Sequence, residues 1–429
     1  MFIWFYRLIF LPAFLIAMPY YALRMIRRGG YAKDFKHRLG LHKNLPKPKK
    51  PRIWIQAVSV GETEAIGTLV KLLSESGKVE LVITTTTSTG YKILKDKYDS
   101  LCVYTGIFPW DFAPFSSMAW NAIKPDLCVL MESEIWPEHL HQAKKRGVKT
   151  LLVNARMSDK SFGRYSKVGK IARAMFAPIS KILTASAAEA ERFKKLGIAE
   201  SKISVMGNLK FDTVPSKYLE PSEKTELKKQ MGFGENSLVM MGASTWPTEE
   251  EVLLQTLAKI RNSNIACNLL IIPRHEERRN DIENVLKKTP YKYNFRKANK
   301  VADFPCDIYV ADTTGEMRIL SQVADFAFIG KSLPPNNGGQ TPIDCAALSI
   351  AMTYGPNMTN FKAACKGLKD ANAALPAKDA NEVVDNLLEF AKDESLRLKI
   401  GKAAKDWHTS NIGASKRCFN AILETLNLQ

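Results

Sequence analysis

"RIWIQAVSVGETEA", Arg52–Ala65, is the stretch from which the fold is read. An apolar run rich in β-branched and aromatic residues ends in Ser59-Val60-Gly61. Glu62 follows at once, and helix-like spacing begins. A strand, a tight turn and a helix open a βα unit. The pattern repeats outward from there. Strand-like runs stand at Val79–Thr87, Asp126–Met131, Lys149–Ala155 and Lys181–Ser186, with helical patterns such as Glu64–Ser76 and Pro137–Gly147 between them. The alternation pauses after "ISVMGNLKFD", and the polar, Pro-bearing Thr213–Lys224 reads as a linker. A second series follows: "SLVMMGAS", "NLLIIPR", "DIYVAD", "ADFAFIG" and "LSIAMTYG", then helical patterns from Ala380 onward. Alternation of this kind predicts parallel sheets covered by helices on both faces.

At 429 residues the chain is too long for one ordinary core. The expectation is two Rossmann-like, doubly wound α/β domains facing a central cleft at the carboxyl ends of their strands, where such sheets bind ligands. The expected division is 1–26, 27–213 and 214–429, with the last helix free to cross back to the N-terminal domain.

The formal net charge of +19 predicts a polyanionic partner: nucleic acid, anionic lipid or a phosphorylated substrate. Through Arg52 there are twelve Lys/Arg and one Asp, more than half of the excess in an eighth of the chain. Leu8–Leu23 is an uncharged apolar run of sixteen residues, shorter than the roughly 20 of a full membrane span. A basic collar, Arg24–Arg52, follows it. The order fits an N-terminal membrane anchor with a cytoplasmic body, or an interfacial anchor on anionic lipid. A cleaved signal peptide fits less well, because the positive residues follow the run and no small-x-small site is clear. A buried core helix is the other alternative. The seven cysteines make no C-x-x-C pair and read as reduced, packed thiols. His139 and His141 lack supporting ligands at a metal spacing and read as a solvated helix face.

The candidate functional residues fall at strand ends. Glu62 sits near a helix N-terminus, where a carboxylate alone does no more than complement the dipole, or acts as a general base. Glu132 and Glu134 follow "DLCVLM"; in extended chain they point to opposite sides, so at most one of them faces a cleft. Asn154, Arg156, Ser158 and Ser161 offer donors for phosphate or sugar hydroxyls, or belong to a solvated loop. Lys210 follows a strand and can face an anion. In the second half, Arg274 either meets a phosphate or pairs with neighbouring glutamates. "DTTGEM" opens a helix that can present N–H groups to an anion. Asp344, on the helix after "GKSLPPNNGGQTP", can accept ribose hydroxyls. There is no G-x-G-x-x-G and no P-loop.

Taken in order, "AVSVGE", "MESEIWP", "NARMSDKSFGRY", "GNLKFD", "AST", "PRHEER", "DTTGEM", "ADFAFIGKSL" and "GPNMTNF" resemble the 3-deoxy-D-manno-octulosonic acid (Kdo) transferases of lipopolysaccharide synthesis, over nearly the whole chain. The resemblance implies a GT-B architecture and transfer of Kdo from CMP-Kdo to the lipid A precursor (lipid IVA) at the inner membrane. It implies Glu62 as the base that deprotonates the acceptor hydroxyl, with Glu132 and Lys210 stabilising the transition state. It implies CMP contacts from Pro273 and Arg274, from Thr314, Gly315 and Glu316, and from Thr341, Pro342, Ile343 and Asp344. There the sequence departs from the family's G-G-H-N-P-L-E: it reads Gly338, Gly339, Gln340, Thr341, Pro342, Ile343, Asp344, with the carboxylate one methylene shorter.

The chemistry fits these residue types. A carboxylate fixed at a strand end can take the proton of a poorly nucleophilic sugar hydroxyl. Direct displacement of CMP inverts the anomeric centre, and Arg274, Lys210 and the helix start after Asp312 supply charge to the leaving phosphate. The expectation is therefore no metal and no cofactor, with CMP-Kdo as donor substrate, an anionic inner-membrane surface as partner, no nucleic acid, and a place on the cytoplasmic face of the bacterial inner membrane. Two alternatives stay open: a GT-B enzyme using another nucleotide sugar, and a non-enzymatic, membrane-associated binder of nucleic acid.

Overall fold

A computed structural model describes residues 2–27, 32–212 and 218–428. The first sheet is built from β1 (Arg52–Gln56), β2 (Glu80–Thr85), β3 (Tyr104–Ile107), β4 (Leu127–Met131), β5 (Lys149–Ala155), β6 (Lys181–Thr184) and β7 (Ile203–Val205). All are parallel, in the order β3-β2-β1-β4-β5-β6-β7. The second holds β8 (Leu238–Thr245), β9 (Cys267–Pro273), β10 (Tyr293–Phe295), β11 (Ile308–Val310), β12 (Phe326–Ile329), β13 (Ala351–Tyr354) and β14 (Leu375–Pro376). It too is parallel, in the order β10-β11-β9-β8-β12-β13-β14. The central strands are apolar on both faces: Ile53, Trp54 and Ile55 of β1 are fully buried. Such continuous runs belong to parallel sheets with helices on both sides.

The chain forms two compact units. One comprises Met1–Thr213 and Asn411–Gln429; the other is Val214–Ser410. The C-terminal helix Ala414–Thr425 places Cys418, Phe419, Ile422 and Leu423 in the core of the first unit. Asp212 fastens that return, its carboxylate accepting from the backbone N–H groups of Gly413 (2.6 Å) and Ser415.

Several elements differ from the sequence reading. β1 stops at Gln56, because Val58 and Ser59 turn to cap the next helix. The helical pattern after it is two helices, Val60–Ala65 and Gly67–Glu75, meeting at Ile66. The second half of the expected linker is the start of a helix, Pro221–Gln230, held by a reciprocal capping box between Glu220 and Glu223; its first residues, 213–217, lie outside those described, as do 28–31 of the basic collar. His139 is not on a solvated face. It is 1% exposed, stacks on Phe108 with centroids 4.2 Å apart, and accepts from Trp120 Nε1 at 3.1 Å. Burial pushes its pKa down to about 3, so it is a neutral core residue. All seven cysteines are free, and six are buried.

Residues Phe2–Arg27 form a helix interrupted by Pro12 and Pro19. Among the described residues no single helix is long and apolar enough to cross a membrane; Phe2–Phe10 and Pro12–Tyr20, bent by 42°, reach that length and composition only as a pair.

Candidate active site

In the first sheet the strand order reverses between β1 and β4, the topological switch point where ligands bind in open α/β sheets. Glu62 and Glu132 follow those two strands. Ser59 caps the helix that carries Glu62. The Glu62 carboxylate reaches back, accepting from the N–H of Val58 (2.9 Å) and from the Ser59 hydroxyl (3.0 Å). Gly61 lies within that helix without a left-handed φ, and a side chain there would meet open space. Burial raises the Glu62 pKa and the Glu132 charge adds to this, against the pull of the Val58 N–H, the Ser59 hydroxyl and Lys210.

Glu132 is not extended. Its φ of 52° turns the chain immediately after β4. Its N–H donates to the Val153 carbonyl (2.9 Å), and its own carbonyl accepts from Arg156 N–H (3.3 Å). Its carboxylate accepts from Lys210 Nζ at 2.9 Å and Asn154 Nδ2 at 3.4 Å, with Arg156 at 3.9 Å. Asn154, also at positive φ and fully buried, links this group to the Lys210 loop by accepting from Leu209 N–H at 3.1 Å. The expectation that one of Glu132 and Glu134 faces away rested on an extended chain, and the turn at Glu132 removes it. Burial, then the charges of Glu62 and Glu132, push Glu134 up to about 7. Glu134 thus feels the charges of both other carboxylates. The repeated Glu in "MESE" was the available signal, and its left-handed turn was not legible. Ser158 caps the helix Asp159–Lys167 and donates to Ser161 Oγ at 3.0 Å, so these two hydroxyls are occupied by that turn.

The Glu134 shift has a testable sign. Its folded pKa lies above the ordinary 4.5, so stability is lost as pH rises from about 4.5 through about 7. Glu134→Gln should raise stability by about 1–3 kcal/mol at pH 8 and change little at pH 4. Urea denaturation at both pH values measures it; equal effects at the two would refute the shift.

In the second unit the order reverses between β8 and β12. Arg274, after β9, anchors its N–H on the Thr245 carbonyl (3.2 Å). Among the described residues its exposed guanidinium meets no ion-pair or hydrogen-bond partner, whereas the neighbouring Arg278 is held bidentately by Glu250 at 2.8 and 3.0 Å. The alternative pairing of Arg274 with glutamates is therefore not formed. Thr314 and Gly315 are exposed, and Gly315 has a φ of 88° that favours glycine. Glu316 instead is engaged: Arg296 grips it at 2.8 and 2.6 Å and Thr313 donates to it at 2.5 Å, and these bonds hold its pKa down to about 2. The helix it opens is only Met317–Leu320, so its dipole is small. Asp344 accepts from Arg318 Nε at 2.9 Å through one oxygen. Thr341 Oγ1 accepts from Ile343 N–H (3.2 Å), while Pro273, Pro342 and Ile343 are buried.

A feature missed in the sequence organises this loop. Glu249, fully buried, accepts from the N–H groups of Trp246 (2.9 Å), Lys331 (2.8 Å), Ser332 (2.9 Å) and Leu333 (3.2 Å). Lys331 sits at positive φ, and its ammonium lies 4.3 Å over the Trp246 ring. One carboxylate thus shapes the start of the Gly-Pro-Asn loop. Among the described residues no group of three or more His, Cys, Asp or Glu has metal-holding geometry.

With this geometry in place, comparison with known proteins is decisive. The family described as 3-deoxy-D-manno-octulosonic-acid transferase (kdotransferase) matches residues 33–213. A 3-deoxy-D-manno-octulosonic acid transferase of Rickettsia bellii (strain RML369-C) is 31% identical over 394 residues, covering 90% of this chain and 91% of the relative. The chain belongs to the Kdo transferase family. The Haemophilus influenzae (strain ATCC 51907 / DSM 11121 / KW20 / Rd) Kdo transferase is 28% identical over 429 residues, covering 97% and 98% of the two chains. Kdo transferases are glycosyltransferases, and this chain is accordingly an enzyme of that class. For fold alone, UDP-GlcNAc 2-epimerase from Neisseria meningitidis, bound to UDP-GlcNAc, has a TM-score of 0.62 at 12% identity, covering 87% of this chain and all of that one. The two parallel seven-stranded sheets are of the GT-B kind.

Proposed function

We propose that this Kdo transferase moves Kdo from CMP-Kdo onto lipid IVA, the lipid A precursor, with inversion at the anomeric carbon and Glu62 as general base. The acceptor belongs to the first unit and the donor to the second. The observation that carries the reading is the Glu62 carboxylate. It stands at the switch point, oriented by Val58 and Ser59, with its pKa raised toward the working range of a base. The acceptor hydroxyl gives its proton to Glu62 as its oxygen bonds to the anomeric carbon, and the bond to the CMP phosphate breaks. Lys210, oriented by Glu132, and the free guanidinium of Arg274 supply positive charge to the departing phosphate, and Thr314, Gly315 and Asp344 complete the nucleotide contacts. Two cations suffice for a monophosphate, so the reading includes no metal or other cofactor. The basic N-terminal region places the enzyme on the anionic cytoplasmic face of the bacterial inner membrane, where its acceptor resides.

Mass spectrometry of the product formed from CMP-Kdo and tetra-acylated lipid A precursor tests the reading. A Kdo-bearing product from this donor, and none from other nucleotide sugars, is expected; transfer from a different nucleotide sugar instead would overturn the donor assignment. Within it, Arg274→Ala should weaken CMP binding by on the order of 1.5–3 kcal/mol, about 10- to 150-fold, by loss of a charge-assisted contact. Calorimetric titration with CMP measures this, and an unchanged affinity removes Arg274 from the donor site.

A further inference from the structure

The N-terminal helix is attached to the first unit by polar bonds, not merely tethered to it. Arg7 Nε and Nη2 each donate to the Glu138 carboxylate at 2.8 Å. The Glu138 side chain is fully buried, and its remaining bond is from Gln142 Nε2 at 2.7 Å. One residue earlier, the Tyr6 hydroxyl donates to Asp111 Oδ2 at 2.7 Å. Phe10 stacks on Phe112 (5.5 Å between centroids) and Phe14 meets Trp110 edge-on (4.6 Å). Residues 6, 7, 10 and 14 share one helical face. On the opposite side Leu8 is 74% and Ile16 82% exposed, with Trp4 and Leu15 beside them.

The docking partners are informative by position. Trp110–Phe112 follow β3, and Glu138 opens the helix after β4. Both lie at the carboxyl edge of the first sheet, the edge that carries Glu62 and Glu132. The helices Asp159–Lys167 and Gly169–Phe176, after β5, emerge from the same edge. Lys160, Arg164, Lys167, Lys170 and Arg173 are exposed there, and none forms a salt bridge among the described residues. Some surface lysines, such as Lys71, Lys95 and Lys402, do pair with an acid one turn away. Val168 and Ile171 are exposed among these cations. Apolar side chains interleaved with unpaired cations suit anionic phospholipid.

We infer that the helix Phe2–Arg27 lies flat in the bilayer interface, clamped along the carboxyl edge of the first sheet by Arg7–Glu138 and Tyr6–Asp111, and that it does not cross the membrane. This rests on the membrane reading above. Standing the helix across the bilayer would strip Glu138 of its cation and carry Arg7 into hydrocarbon, two costs that the docked arrangement avoids. The bend at Pro12 lets both half-helices follow the surface. The consequence is geometric: a lipid-borne acceptor is met at the edge where Glu62 stands.

The test uses the full chain bound to vesicles of phosphatidylglycerol and phosphatidylethanolamine. Nitroxide labels are placed on Leu8→Cys or Ile16→Cys, with the labelled parent as blank for Cys102. Collision with oxygen and with a polar nickel reagent gives their depths. Both labels should sit at one shallow depth, about 5–10 Å into the interface. Depths differing by about 12 Å, as eight residues at 1.5 Å rise give across a membrane, would overturn the inference while leaving membrane binding intact. Protein that stays off the vesicles defeats the membrane reading and this inference together. In the triple variant Tyr6→Phe/Arg7→Leu/Glu138→Gln, which removes both bonds of the clamp while Asp111 keeps the backbone N–H groups of Glu138 and His139, the two depths should separate; equal depths there would overturn the clamp.

Discussion

Glu62→Gln is expected to lower single-turnover transfer by about 10² to 10⁴ while leaving the fold and CMP affinity in place. The geometry makes this substitution clean. Each carboxylate oxygen holds one donor, the Val58 N–H at 2.9 Å and the Ser59 hydroxyl at 3.0 Å. A glutamine oxygen keeps the first bond, and the Ser59 hydroxyl can rotate to accept from the new amide. If Glu62 served only to cap its helix, the change would cost up to about 1 kcal/mol and spare turnover. As base, it controls an acid limb of the rate profile: transfer rises with pH as the carboxyl ionises, at a pH above the ordinary range because burial raises its pKa. Glutamine should abolish that limb. Single-turnover transfer at saturating substrates, with melts in the presence and absence of CMP, decides it. Retention of more than about a tenth of wild-type turnover would sink the assignment.

What was legible in the sequence follows physical rules. Strands buried on both faces announce themselves as apolar runs, so β1, β4, β5, β8 and β9 were readable. β3, "YTGI", carries a glycine and a half-exposed tyrosine, and β14 is two residues long; such strands are defined by their neighbours rather than by their own composition. Glu62 was legible because glycine and a carboxylate at a strand end form a local pattern. Glu132, Asn154 and Lys210 were each singled out, but their contact was not legible, because it joins positions 78 residues apart through two left-handed turns. His139 misled because its helix is polar in sequence, yet the face it occupies packs against Trp54, Phe108 and Trp120. Glu249 escaped notice because its partners are backbone N–H groups, which any sequence possesses.

Lys210→Ala and Glu132→Gln should each reduce turnover by about 10²–10³, the usual cost of removing a preorganised charge from a developing anion. The more telling expectation concerns the double variant. Lys210 Nζ and Glu132 Oε1 are 2.9 Å apart, and both side chains are only partly exposed. If Glu132 acts by holding the ammonium in place, the second substitution removes something already lost. The double variant should then fall within about tenfold of the worse single one, far short of the product of the two. Stability should not confuse the reading. Without Lys210, Glu132 retains Asn154 at 3.4 Å and Arg156 at 3.9 Å, so its carboxylate is not stranded. CMP affinity supplies the remaining control. A charge used on the phosphate only as the glycosidic bond breaks leaves ground-state CMP binding nearly unchanged, whereas a simple phosphate clamp would weaken it in step with turnover. Multiplicative losses in the double variant would show that the two residues act separately, and a matching loss of CMP affinity would move Lys210 from transition-state stabilisation to donor binding.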